Sequence, residues 1–229
     1  MIYLLLFFGF VLGVTHYWSE RINTKSVGRM KAVSFTAGIL ITYLFLHLFP
    51  TLYESGFMLN RVSLVFVLVG FAIFHALEKY IYQHSKSTKI LKMELRGVHT
   101  ISLFVYYLVM GIVLVSIWRD VSELAASLFF VPLLLHAALS STSFSELHDV
   151  VRIPTVKFLL SFSTLIGILV GYYVVIAQTA HYVMMGSIIG MLLYVTIVDS
   201  IPKEREGRPG FFLLGVIIYS AIIAFAWTF

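Results

Sequence analysis

Polar side chains interrupt a long apolar stretch at residues 132–149. His136 is followed four residues later by Ser140, and Glu146 and His148 come after two further turns. Helical periodicity puts His136 and Ser140 on one face. Imidazole and carboxylate groups are common ligands of zinc and related divalent metals. The pattern predicts a water-filled path with His136 deep and Glu146 at its mouth, or a dry packing face whose hydroxyls bond to their own helix.

Two further polar residues occupy matching positions in separate apolar runs. In residues 38–50 a glycine is followed nine residues later by His47 and then by proline, and residues 190–202 repeat this spacing with Asp199. A carboxylate within an apolar helix costs about 2.5–3.5 kcal/mol on insertion scales. Asp199 is therefore a metal ligand or proton acceptor facing the bundle centre, or a boundary charge neutralised by the basic residues that follow it. His47 has the same two interpretations, a site residue or a packed one.

The composition places these residues in a membrane protein. Of 229 residues, 60% are apolar and only 12% are charged, whereas soluble domains carry about 45–50% apolar and roughly 25% charged residues. The chain has no cysteine, which excludes disulfides and thiolate metal sites. We expect the net charge of +5 to mark the cytoplasmic face of a bilayer rather than a nucleic-acid surface.

Eight apolar runs have the length that a membrane-spanning helix needs, about 17–25 residues. Short polar connectors separate them, which predicts an all-α protein with one polytopic domain over residues 1–229. The first run has no basic segment before it and no clear cleavage site after it, so we do not expect a removable signal peptide. The runs cover roughly residues 2–18, 32–52, 62–82, 100–118, 124–147, 156–177, 182–201 and 211–228.

The distribution of basic residues gives the expected orientation. Alternate connectors, beginning with the first, hold all the Lys and Arg residues except Arg61 and Arg119. The positive-inside rule then places these connectors in the cytoplasm and both termini outside. We expect a multi-pass protein of the cell membrane, and the sequence is compatible with a homodimer.

The matching Gly-His-Pro and Gly-Asp-Pro spacings suggest an internal repeat. Runs 1–3 and 6–8 are both triplets, and an odd number of spans per repeat gives the two copies opposite orientations. Inverted repeats with interrupted helices at corresponding positions point to a transport site near the membrane midplane. The alternative is ordinary helix packing with two proline kinks.

Other polar groups give weaker indications. His75 and Glu78 share one helix face, but Glu78 precedes a lysine near the membrane boundary, which favours a snorkelling charge cluster. The chain lacks an H-E-x-x-H motif, a nucleophile elbow and a phosphate-binding glycine loop. We therefore expect no enzymatic activity and no resident cofactor.

Four segments resemble helices of the ZIP (Zrt/Irt-like) family of divalent metal transporters. They are FTAGILITYLFLHLFPTLYE, VGFAIFHALEKYIY, KFLLSFSTLIGILVGYY and GMLLYVTIVDSIPKE, which resemble the second, third, sixth and seventh helices of that family. The resemblance implies eight helices in an inverted 3+2+3 arrangement. It also implies movement of a divalent cation, zinc or a neighbour such as iron or manganese, towards the cytoplasm.

The resemblance also shows where this sequence departs from the family pattern. His136 and Asp199 match metal-site positions and His47 matches a flanking one, but Tyr106, Tyr107 and Met110 replace the ligands expected in the fourth helix. Water, Met110, serines such as Ser140, or Glu146 would then have to complete the ligand shell. A weak-affinity carrier fits this pattern. The other interpretation is a non-transporting scaffold or regulator that has lost the central metal site.

Overall fold

The chain folds into a bundle of helices. A computed structural model describes residues 2–19, 27–54, 57–84, 89–139, 154–200 and 208–228, and within these ranges it contains no β-strand. The helices are α1 (Ile2–Ser19), α2 (Val27–Tyr43), α3 (Phe49–Glu54), α4 (Phe57–His84), α5 (Lys89–Asp120), α6 (Glu123–Leu139), α7 (Pro154–Ser161), α8 (Ser163–Tyr173), α9 (Gln178–Ser200) and α10 (Pro209–Ala226).

Several of these elements are long and apolar enough to cross a membrane. Six do so without a break, at Ile2–Ser19, Gly28–Tyr53, Arg61–Tyr80, Thr100–Asp120, Gln178–Ile197 and Pro209–Ala226, and the bent pair α7–α8 makes a seventh. The apolar helix α6 has 17 residues, and the remainder of the predicted fifth run lies outside the described residues. The protein is thus an all-helical, multi-pass membrane protein.

A π-helical segment joins α2 to α3. It covers Leu44–Leu48, and the N–H of Phe49 donates to the carbonyl of Leu44, five residues earlier. Pro50 explains the wider turn, because a proline lacks the N–H of the regular ladder and its ring clashes with the carbonyl four residues before it. The Thr51 hydroxyl donates to the carbonyl of His47 at 2.7 Å, which adds a side-chain bond beside Pro50.

The predicted sixth run is a bent helix pair rather than one straight helix. The axes of α7 and α8 differ by 48° at Phe162, although no proline lies there. The Ser163 hydroxyl donates to the carbonyl of Leu160 at 2.7 Å, and hydroxyls that bond back to the preceding turn bend helices. On α1, Gly13 lies against the ring of Phe162, so the bend is accommodated by a glycine.

Glycines bring three helix pairs into backbone contact, namely α2 with α10, α4 with α9, and α5 with α8. At each crossing two glycines face each other, and a Cβ on either would collide with a carbonyl oxygen of the opposite helix. Such close approach is how helices pack in membranes, where only small residues permit it. The contacts are Gly38 with Phe212, Gly215 with Phe35, Gly190 with Val67, Gly70 with Ser187, Gly111 with Thr164, and Gly167 with Leu108.

Polar contacts distinguish the two ends of the bundle. At one end, called here the basic end, the Arg29 guanidinium donates to the carbonyl of Leu139 at 2.6 Å, and Lys157 lies 4.7 Å from the centre of the Tyr17 ring. At the opposite end, the Arg119 guanidinium donates to the carbonyl of Gly171 at 3.1 Å. Gly171 lies in the last turn of α8, where carbonyls lack partners within the helix.

Candidate functional site

His136 lies in the interior of the bundle, one turn before the end of α6. Its side chain is 4% exposed. Its Nε2 atom has no hydrogen-bond partner among the residues that the structure describes. Buried polar atoms in native proteins are nearly always paired, so an unpartnered imidazole nitrogen suggests a ligand or water as its partner. This is the predicted site residue whose surroundings the structure describes most fully.

His16 of α1 lies at nearly the same level of the bundle as His136 of α6. The rings of Phe8 and Phe130 stack with their centroids 4.1 Å apart and fix the alignment of α1 with α6. His16 is eight residues beyond Phe8 and His136 is six beyond Phe130. With a helical rise of about 1.5 Å per residue, the two histidines lie within about 3 Å of the same level. We call these two residues the histidine pair.

Sequence reasoning missed His16, although it is as buried as His136, at 4% exposure. The signal was present, because His16 is an isolated imidazole at the end of the first apolar run. Glu20 follows it at the i+4 spacing of a helix, and this pair is a signal that the sequence reasoning did not use.

An aromatic chain extends from the histidine pair towards α9. The edge of the Tyr107 ring meets the His16 ring at a centroid distance of 4.4 Å, and the Tyr106 ring lies 5.0 Å from that of Tyr107. Phe74 continues the chain, with its ring 5.4 Å from Tyr106 and 6.4 Å from Tyr194. Tyr106, Tyr107 and Met110 are all nearly fully buried. The positions where the resemblance expects metal ligands are therefore occupied mainly by packed rings.

Three of the five predicted site residues have no described side chain. Ser140 and Glu146 lie outside the described residues. The backbone of Asp199 continues α9, five residues beyond Tyr194, but the description does not extend to its side chain. Their part in a metal site stays a prediction.

The structure does not bring His47 together with His136. Two hydrogen bonds fix the antiparallel alignment of α2 and α6: Arg29 to the carbonyl of Leu139, and the Tyr43 hydroxyl to the carbonyl of Ala125 at 3.3 Å. The two donors and the two acceptors are each fourteen residues apart. This alignment puts His136 at the level of Ala32, so His47 lies about 20 Å further along the bundle. His47 and His136 therefore do not share one coordination sphere.

The region around His47 is built from tyrosines instead. The ring of Tyr43 lies 5.1 Å from His47 and 6.4 Å from Tyr219. The hydroxyl of Tyr219 donates to the carbonyl of Leu128, just as that of Tyr43 donates to Ala125. We call Tyr43 and Tyr219 the tyrosine pair. Both hydroxyls bond to the backbone of α6, and this explains how two polar groups are buried in an apolar interior.

The His75 and Glu78 cluster lies at the edge of the bundle. His75 is exposed, and its ring meets that of Tyr194 edge-on at 5.7 Å. The Tyr194 hydroxyl donates to a half-buried Glu78 carboxylate oxygen at 3.5 Å. These contacts give Glu78 a partner within the protein.

No group of three or more His, Asp or Glu side chains converges as a metal cluster within the described ranges. The histidine pair is thus a two-residue arrangement there. No protein-family model matches the chain, and no curated protein matches it at a significant level.

Proposed function

We propose that this protein is a ZIP-like carrier that moves a divalent metal cation, zinc foremost, across a membrane towards the cytoplasm. The proposal includes eight membrane spans, an inverted 3+2+3 arrangement and both termini outside in the cell membrane. The observation that carries it is the equivalence of two glycine crossings, α2 with α10 and α4 with α9.

The two crossings correspond residue by residue. At each one, a glycine and the residue three positions before it contact a glycine and the residue three positions before it on the opposite helix. A shift of 152 residues carries Gly38 and Phe35 of α2 onto their counterparts in α9, and the same shift carries His47 onto Asp199. An exchange of α2 with α9 and of α4 with α10 thus preserves the contacts. Inverted repeats of this kind characterise secondary transporters.

The contacts at the two ends of the bundle favour a topology in which successive connectors lie on opposite sides of the membrane. The sequence assigns to the cytoplasm the connectors that hold Arg29, Lys31, Lys157 and Arg208. The side chains of the first three contact other residues at or near the basic end. The backbone N–H of Arg208 donates to the Ser34 hydroxyl at 3.2 Å, which keeps the start of α10 next to the start of α2. Basic residues gathered at one end support an orientation with that end in the cytoplasm.

In the proposed mechanism the two repeats rock against the central helices. The first repeat comprises α1–α4, the second comprises α7–α10, and α5 with α6 forms the centre. The crossings of α2 with α10 and of α4 with α9 each join a helix of one repeat to a helix of the other, so they are surfaces along which the repeats can shift. The buried imidazole of His136 on the central helix α6 supplies a nitrogen ligand along the path.

The test is uptake of metal into sealed proteoliposomes that contain the full chain, measured for Zn²⁺, Fe²⁺, Mn²⁺ and Cd²⁺. We expect saturable uptake by the wild type and at least a tenfold loss in Asp199→Ala. Asp120→Ala is the matched control, because this exposed carboxylate pairs with His181 at 3.7 Å at the end opposite the basic end. No uptake by folded wild type, or equal losses in the two variants, would contradict the proposal.

One observation favours a second candidate, a non-transporting scaffold or regulator on the same fold. Tyr106, Tyr107 and Met110 are buried where the resemblance expects ligands, and the tyrosine rings pack against other rings. A protein that needed only the fold would be stabilised by such packing. The uptake measurement separates the two candidates, because a scaffold would give no uptake from folded protein.

A further inference from the structure

We propose that a groove between α1 and α7, at the basic end of the bundle, binds an anionic phospholipid. One acyl chain lies against the aromatic wall of the groove, and the headgroup phosphate lies beside Lys157. Metal transport neither requires nor implies this site, so the lipid site and the proposed function can fail separately.

The groove has two aromatic walls and an apolar lining. It is an open cavity of about 200 Å³. On α1 the lining residues follow one another at helical spacing and so share one face, and on α7 two rings lie with their centroids 4.7 Å apart. Water is a poor occupant of such a space, because it needs polar partners there. The lining residues are Val14, Tyr17, Trp18, Phe158 and Phe162.

Backbone features on both helices form the groove. Phe162 stands at the 48° bend, so the groove lies where α7 changes direction relative to α8. Gly13 lets the Phe162 ring lie directly against α1, because a Cβ on that glycine would collide with the ring. The groove is thus part of the helix packing rather than a gap beside one side chain.

The groove opens towards the surroundings of the bundle and follows α1 into the membrane. The Trp18 and Phe158 side chains are 56% and 54% exposed. Phe10 continues the apolar surface away from the basic end, with its ring centroid 6.3 Å from that of Phe162. From Phe10 to Trp18 the surface covers about 12 Å along α1, against about 15 Å for the hydrocarbon of one leaflet. It therefore matches an acyl chain that descends from the membrane boundary.

The position of the aromatic residues places the mouth of the groove at that boundary. Tyr17 and Trp18 lie in the last turn of α1. Tryptophan and tyrosine are enriched where the hydrocarbon of a bilayer meets its headgroups. A lipid with its acyl chain in the groove would therefore have its headgroup near the basic end.

A positive charge stands at the edge of the groove. The Lys157 ammonium lies 4.7 Å from the centre of the Tyr17 ring, and this cation–π contact keeps the charge beside the lining. An ammonium is a compact charge with three donors, which suits a phosphate oxygen. Basic pockets between membrane helices on the cytoplasmic side bind anionic headgroups. Charge complementarity thus favours an anionic phospholipid over a zwitterionic one.

The test uses Trp18, in the wall of the groove, as a reporter. The full chain with Trp118→Phe and Trp227→Phe keeps Trp18 as its single tryptophan. It is placed in phosphatidylcholine vesicles that contain phosphatidylglycerol or phosphatidylcholine with the same brominated acyl chains, which quench a nearby indole. We expect the phosphatidylglycerol to associate at least about threefold more strongly than the phosphatidylcholine.

A second single-tryptophan chain is the matched reporter. It carries Trp18→Phe and Trp118→Phe and keeps Trp227, which follows the end of α10 at the end opposite the basic end. We expect no lipid preference at Trp227. An equal preference at the two tryptophans would mean a general attraction of the protein for anionic lipid and would overturn the site.

Two lysine variants of the Trp18 reporter test the charge. Lys157→Gln should remove the preference. Lys31→Gln is the matched control, because the Lys31 ammonium also lies over a ring, 5.3 Å from the centre of Phe211, but on α2 and away from the groove. It should keep the preference. Equal effects of the two variants would contradict the role of Lys157.

Val14→Phe tests the groove itself, because it adds a ring to the lining and leaves the charge in place. It should weaken the association of phosphatidylglycerol at Trp18 at least twofold, and thermal unfolding verifies that each variant is folded. No preference at Trp18 in the folded reporter, or an unchanged preference in Val14→Phe, would overturn the site and leave only ordinary bilayer contact. Metal uptake does not enter these measurements, so their outcome leaves the carrier proposal to its own test.

Discussion

The tyrosine pair and the histidine pair are two buried polar groups in one bundle, and α6 contributes to both. Tyr43 and Tyr219 donate their hydroxyls to backbone carbonyls of α6. Near the other end of α6, His136 presents a side chain whose Nε2 has no partner among the described residues. The tyrosines thus use the α6 backbone as an acceptor, whereas His136 keeps a side-chain nitrogen with no partner among the described residues.

This difference distinguishes polar groups that fix the fold from those able to bind. A hydroxyl that already donates to a carbonyl has its single proton engaged and holds the two helices together. A neutral imidazole whose nitrogen accepts nothing from the described protein retains a lone pair for a metal. We therefore expect variants of the tyrosine pair to lose stability and variants of His136 to lose metal binding.

The largest effect should come from the glycine crossings, which hold both pairs in place. In Gly38→Ala and Gly190→Ala the new methyl group meets a backbone oxygen that cannot move aside. We expect each variant to lose about 3 kcal/mol or more of stability, measured by thermal unfolding in detergent.

Gly97→Ala is the control for both glycine variants, because a Cβ there meets nothing within 4 Å. It should be neutral, or stabilising by up to about 1 kcal/mol through helix propensity. A loss at Gly38 without a loss at Gly190 would break the equivalence of the crossings.

Substitution of Arg29 should cause the next largest loss of stability. The loss should come from the end of α6 that carries His136, not from the end near the tyrosine pair. Its guanidinium is 7% exposed and bonds to the carbonyl of Leu139, one turn beyond His136. We expect Arg29→Ala to cost about 2 kcal/mol, because it removes a charge-assisted hydrogen bond from the end of α6. Arg119→Ala, at an exposed position with a similar bond, should cost less than about 1 kcal/mol. Equal losses in the two unfolding measurements would contradict this ranking.

Tyr219→Phe should have the smallest effect. It removes the hydroxyl that donates to Leu128 and leaves the ring in place. Hydrogen bonds between membrane helices contribute little on average, so we expect a loss of about 1 kcal/mol or less in thermal unfolding and a Zn²⁺ uptake rate within about twofold of the wild type. A larger loss of uptake would show that the tyrosine pair also takes part in transport.

Much of the fold could be predicted from the sequence, because apolar runs of membrane-spanning length have few alternatives in a bilayer. The positions of most helices follow these runs. The bend at Phe162 was not predicted, since it depends on hydroxyl bonds and on contact with Gly13 rather than on proline. The helical start of α5 at Lys89 was also missed, because a helix can continue beyond its apolar part into a basic segment.

The candidate site was predicted only in part. His136 was identified from its own run, and its burial agrees with the expected interior position. Grouping His47 with it was not supported, because the alignment of α2 with α6 depends on contacts of Arg29 and Tyr43 that no local pattern reveals.

The measurement that tests the central claim most directly compares Zn²⁺ uptake by wild type, Tyr219→Phe and His136→Gln in matched sealed proteoliposomes. The account predicts saturable uptake by the wild type, a rate within about twofold of it for Tyr219→Phe, and at least a tenfold loss for His136→Gln. It would be contradicted by absent uptake in folded wild type, or by equal rates in the two variants.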